Sequence, residues 1–290
     1  PGLLLEDNKD IYKAMKLAYN KIKDQVEVTD FYIMGYSLGG SNAAVLSYID
    51  EKEKSFNFKR VFMVNPPVDL YDSALKLDKY LDDYTGGKTK GIEKLLNTTL
   101  AKVKGGLTNE YANIGADTIY NIVKNDILSN AEKKAYIGLA FRLASNDLNF
   151  ISDFITKSHV YTKNPEKVNK FTNMKEYFKA VNFATFEDYV NKVGFPYYKK
   201  YNKDFTNEDL KREASLKVIE DYLRTSPKIA AVTNADELIL DEKDIDYLKD
   251  VFKNRLVIYP KGGHCGNMFY KENVDVMLKF VNEGVLKYEN

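Results

Sequence analysis

Cysteine and histidine are scarce in this 290-residue chain, which has one cysteine, Cys265, and two histidines, His159 and His264. A single cysteine closes no internal disulfide, and so few soft ligands leave no structural zinc site. An excess of one charge is lacking too, since 43 Lys and Arg balance 42 Asp and Glu for a formal net charge of +1. No basic field therefore points to nucleic acid, and no acidic one to a cationic partner. No apolar run approaches the roughly 18 residues of a membrane span, so the chain reads as soluble. No charged-then-apolar leader opens the sequence at Pro1, so whatever preceded Pro1 is expected to have been removed or never built. The lone cysteine suits a cytoplasmic location, which is the expectation, and equally a periplasmic or secreted one, because any export signal would lie before Pro1.

What is present is ordinary globular material, with 44% hydrophobic and 29% charged residues. That composition excludes disorder, and the length allows one domain carrying a large insertion.

Ile11, Met15, Ala18 and Ile22 recur at the period of one helical face, predicting a surface helix over 8–27. Phe31 to Met34 is a short apolar run closed by Gly35, the pattern of a strand buried on both faces. A helix from Ser37 to about Ile49 follows, and then a second buried strand, Val61 to Val64, ended by Asn65, Pro66 and Pro67. Near the other end, Ile229 to Thr233 and Leu256 to Tyr259 read as strands and Ile245 to Phe252 as a helix; Val274, Met277, Leu278 and Val281 mark a closing helix. Strands alternating with helices predict an α/β fold with a mostly parallel sheet, built from residues 1–70 and 227–290. Residues 71–226 show no strand pattern; amphipathic stretches such as Ile92, Leu95, Leu96 and Leu100 predict a helical insertion. Its aromatics, including Phe195, Tyr197, Tyr198 and Tyr201, read as helix-packing core.

Gly35-Tyr36-Ser37-Leu38-Gly39 fits G-x-S-x-G at the junction of a buried strand and a helix, where a strained turn lifts a serine hydroxyl above the sheet. Gly35 and Gly39 are expected there because a Cβ would collide where the two backbones approach. A serine nucleophile needs a base, and the base needs a carboxylate to hold its tautomer. His264 is the favoured base, since it lies just past a strand in Gly262-Gly263-His264-Cys265-Gly266, whereas His159 sits mid-insertion with nothing around it that suggests chemistry. Asp236 is the favoured carboxylate, following the strand Ile229 to Thr233 at a carboxyl end where ligands gather in such sheets. Asp69 after the strand Val61 to Val64 is its rival, and the adjacent Glu237 is expected to point elsewhere. Gly87-Lys88-Thr89 ends like a phosphate loop, but Asp82 stands where that pattern needs glycine and no strand leads in. Cys265 reads as structural rather than as a thiol nucleophile.

Ser37, Asp236 and His264, in that chain order and each after a parallel strand, resemble the α/β-hydrolase family, of the serine-esterase type with a helical cap. The resemblance covers residues 1–70 and 227–290. It implies attack by Ser37 on an ester or related acyl carbonyl of a small-molecule or lipid-like substrate, with His264 as base and then acid and Asp236 as its orienter. It also implies the Leu38 amide as an oxyanion donor, no cofactor or metal, and residues 71–226 as the cap that shapes the pocket. Family members place several strands before the nucleophile, whereas only 36 residues precede Ser37. The strand Phe31 to Met34 would then be a bare apolar edge, so a preceding segment or a second chain is expected to complete the sheet.

Overall fold

The computed structural model describes residues 2–106, 127–162 and 164–286. The chain divides into two compact units, residues 1–73 with 202–290, and residues 74–201. The first unit runs α1 (Leu4–Ile22), β1 (Tyr32–Tyr36), α2 (Leu38–Glu53), β2 (Arg60–Val64), β3 (Ile229–Asn234), α3 (Glu242–Phe252), β4 (Leu256–Tyr259) and α4 (Lys271–Glu283). Its four strands form one all-parallel sheet in the order β1-β2-β3-β4. Parallel neighbours cannot be joined by a tight turn, and α2 and α3 occupy two of the crossovers between them. The mixed α/β class and the parallel sheet are as the alternation of patterns predicts.

The register sets Phe62, Val64, Ala230, Val232, Val257 and Tyr259 on one face, packed against Val276 and Phe280 of α4. The alternate side chains of β2, Val61 and Met63, are equally buried, so both faces of this inner strand are covered. Full burial of a side chain such as Phe62 or Phe280 contributes about 1.5–3 kcal/mol.

Two helix faces differ from the expected ones. Helix α1 turns Leu4, Asn8 and Tyr12 inward, leaving Ile11 and Ile22 exposed. Polar anchoring explains the rotation. The Tyr12 hydroxyl donates to the buried Asp50 carboxylate, the Tyr12 ring meets Phe56 edge-on at 5.4 Å, and Asn8 donates to Asn42 at 3.0 Å. Helix α4 buries Asn273, Val276 and Phe280 in place of the expected stripe, and Leu278 is exposed. β1 departs from the reading of a strand buried on both faces. It is the sheet's edge, with no strand among the described residues on its free side, and Tyr32, Met34 and Tyr36, which share one face, are 46%, 56% and 59% exposed.

The second unit is narrower than the expected 71–226, since helices Asn207–Glu213 and Glu220–Thr225 belong with the sheet. Among its described residues there is no strand; residues 107–126 of the expected insertion lie outside the described residues. Helices Thr89–Gly106 and Asn130–Ala144 and the helix beginning at Leu70 share a core of Leu81, Ile92, Leu95 and Ala135. Leu96 and Leu100 face outward. Arg142, buried in this unit, is held by Asp78 at 2.9 Å and Asp82 at 3.0 Å. Tyr197 contacts Tyr198 and Tyr201 at ring distances of 5.7 and 5.0 Å, yet none of these rings is buried, so they pack on one another rather than forming core.

Candidate active site

Ser37 joins β1 to α2 with φ 51° and ψ −132°. A non-glycine residue rarely adopts such angles, and holding one there costs about 1–3 kcal/mol. Neighbours hold this one, since its N–H donates to Val64 O at 2.9 Å and its carbonyl accepts from Gly40 N at 2.8 Å. A Cβ on Gly35 would lie 1.9 Å from Gly39 O, so only glycine fits there. At Gly39, by contrast, a Cβ would meet open space. The steric reason expected for both glycines therefore applies to Gly35 alone. Leu38 is the first residue of α2, where helical amides have no partner within the helix and point outward from its N-terminus.

The loop after β4 carries His264. Gly262 and Gly263 have φ 153° and 54°, and a Cβ on Gly262 would lie 2.6 Å from both Asn234 Oδ1 and Asn267 Cγ. Buried amides clamp this loop. Asn234 donates to Gly263 O at 2.7 Å and exchanges two side-chain bonds with Asn267, at 3.1 and 2.8 Å. The imidazole is thereby placed with Nε2 2.8 Å from Ser37 Oγ, joining the serine and the histidine that sequence favours.

The other imidazole nitrogen, Nδ1, meets Glu237 Oε1 at 2.8 Å. This corrects the expected assignment of Asp236 to that position. Asp236 is exposed and its carboxylate instead accepts the Gly263 N–H at 2.8 Å. The reason is local. β3 continues to Asn234, Ala235 N–H still reaches across to Tyr259 O at 2.8 Å, and the turn that follows brings Glu237 inward. Its side chain is only 1% exposed, against 28% for His264. Oε1 also accepts the N–H groups of Leu238 and Ile239, at 2.7 and 3.3 Å. Asp69 caps the helix beginning at Leu70, accepting Asp72 N–H at 3.0 Å, and burial pushes its carboxyl up from the usual range.

Cys265 is half-buried with φ 62°. Burial first, then the charge of Glu237, pushes its thiol up to about 11, which keeps the thiolate scarce at neutral pH. His159 is exposed in a loop of the second unit. Gly87 and Lys88 lie in the turn between two helices, the second of which begins at Thr89, with no strand before them. Among the described residues no group of three or more His, Cys, Asp or Glu is placed to hold a metal ion, and no helix is long and apolar enough to cross a membrane.

Sequence reasoning missed Glu237 and the amide clamps. One signal was available. β2 is followed by, and β3 ends in, a buried asparagine, Asn65 and Asn234, and buried amides at strand ends need partners that only a neighbouring loop supplies.

The site is thus a hydrogen-bonded chain of carboxylate, imidazole and hydroxyl at the carboxyl ends of β1, β3 and β4. With Glu237 ionised, Nδ1 carries the proton and Nε2 is left to accept one from Ser37, the arrangement that makes a serine nucleophilic. No protein-family model matches the chain, and no curated protein matches it in sequence. The fold and site therefore define its class as far as a parallel α/β protein with a Ser-His-Glu constellation.

Proposed function

We propose that the chain is a serine hydrolase of the α/β-hydrolase type, cleaving an ester or related acyl bond through an acyl-enzyme. The observation that carries this reading is the Ser37–His264–Glu237 chain, with 2.8 Å at each link, at a strand-to-helix turn strained at the serine. Ser37 Oγ attacks the carbonyl carbon while His264 Nε2 takes its proton, and Glu237 stabilises the imidazolium so formed. The Leu38 amide donates to the oxyanion that develops. Collapse expels the alcohol, protonated by His264. A water then attacks the acyl-serine by the same path in reverse, releasing the acid and restoring Ser37. This proposal keeps the chemistry expected from sequence but takes Glu237, not Asp236, as orienter, because Glu237 Oε1 is the carboxylate oxygen on His264 Nδ1.

The test is pre-steady-state hydrolysis of p-nitrophenyl acetate and longer esters. An alcohol burst of about one equivalent, followed by a slower steady rate and absent in Ser37→Ala, supports the acyl-enzyme. A linear trace that Ser37→Ala leaves unchanged contradicts it. A second reading, a binding module that keeps the fold without catalysis, is favoured by one observation, the β1 edge beside the serine, with which no strand among the described residues pairs on its free side. It gains if every ester is inert.

A further inference from the structure

The serine hydrolase reading assigns Glu237 to His264 through Oε1, which leaves the other oxygen of a carboxylate whose side chain is 1% exposed. Oε2 accepts from Asn65 Nδ2 at 2.5 Å. The same Nδ2 lies 3.4 Å from Gly263 O, the carbonyl just before His264. Asn65 is 1% exposed and left-handed at φ 48°, a conformation that asparagine tolerates better than most residues. Its own N–H is anchored on Val232 O at 2.8 Å, so the amide projects from a point tied to the centre of the sheet.

A carboxylate held at one oxygen only can turn about its Cγ–Cδ bond. Held at both, it keeps a single plane. We propose that Asn65 is a positioning residue for the acid of the triad. Its amide locks the rotation of Glu237 so that Oε1 stays on His264 Nδ1, and by reaching Gly263 O it ties the acid-bearing and histidine-bearing loops together. This inference rests on the serine hydrolase reading for its catalytic meaning, and on the geometry alone for the contact.

Asn65→Asp provides the sharpest test. It keeps the shape and tolerates the left-handed backbone, but it replaces the donor with an acceptor facing Glu237 at hydrogen-bond distance. Two carboxyls so close cannot both ionise, whereas Asn65→Ala merely removes the donor. The readout is the 1H resonance of the His264 Nδ1 proton, which a close bond to a fixed Glu237 Oε1 holds far downfield; Glu237→Gln serves for its assignment. The expected result is a resonance that moves upfield or broadens away in Asn65→Asp and moves less in Asn65→Ala, with kcat lowered and KM little changed. A resonance that matches wild type in both folded variants overturns the proposal. If Asn65→Asp fails to fold, Asn65→Ala and Asn65→Ser give the same readout. The resonance needs no activity, so inert wild-type protein defeats the hydrolase reading alone, and an active enzyme with an unmoved resonance defeats this inference alone.

Discussion

Glu237 Oε1 and His264 Nδ1 lie 2.8 Å apart, while the carboxylate one residue earlier, Asp236, faces the backbone of the same loop at Gly263. Two adjacent acids therefore divide two tasks, one holding the imidazole and one holding the turn that presents it. The division predicts unequal mutants. Glu237→Gln should lower kcat roughly 10⁴-fold, the cost of losing the tautomer and the imidazolium partner. Asp236→Asn keeps an oxygen to accept the Gly263 N–H and removes only an exposed charge, so it should cost less than about tenfold. Steady-state kinetics on both variants with one ester checks the order, and the reverse ranking would return the role to Asp236.

The turn at Ser37 predicts opposite responses from its two flanking glycines. Gly35→Ala drives a methyl into Gly39 O, a backbone atom with nowhere to go, and should destabilise the fold by about 3 kcal/mol or more. Gly39→Ala meets open space inside α2 and should be neutral or stabilising by up to ~1 kcal/mol. Urea midpoints of the two variants decide the matter.

These residues show what sequence conveys and what it does not. Ser37 and His264 were legible because glycines bracket both and only one other histidine competes. The four strands were legible as apolar runs ended by Gly, Asn and Pro. Glu237 was not legible, because which of two neighbouring acids turns inward depends on where β3 stops pairing with β4, a tertiary fact. Asn65 and Asn234 carry no periodic signal, although their amides organise the loop that bears His264. The inward faces of α1 and α4 were misread for a related reason. Tyr12 and Asn8 are buried by their polar partners, so hydrophobic spacing alone pointed to Ile11 and Ile22.

The open edge of β1 predicts self-association. Among the described residues no strand pairs with this edge, and its backbone groups, flanked by exposed Tyr32, Met34 and Tyr36, form a template for another strand. Met34→Lys places a charge on that edge and should shift sedimentation toward monomer without lowering thermal stability by more than about 0.5 kcal/mol. A wild-type chain that stays monomeric at high concentration would contradict this.

In the second unit, Lys102 Nζ lies 2.7 Å from both carboxylate oxygens of the buried Glu132. That hydrogen bond, aided by Ser129, lowers the Glu132 carboxyl to about 2 from an ordinary 4.5. A carboxyl depressed on folding stabilises fully above its unfolded value and loses that contribution as pH falls toward its folded one. Urea stability of this unit should therefore decline between about pH 4.5 and pH 2. In Glu132→Gln the decline should be shallower and the stability at neutral pH lower. Equal acid slopes in the two proteins would contradict the assignment.

The most direct measurement of the central claim is intact-mass detection of a fluorophosphonate adduct on this chain, with Ser37→Ala, His264→Ala and Glu237→Gln as controls. The account predicts a single adduct that maps to Ser37. It should vanish in Ser37→Ala and form far more slowly in His264→Ala and Glu237→Gln. No adduct on the folded protein, or one that persists in Ser37→Ala, would contradict it.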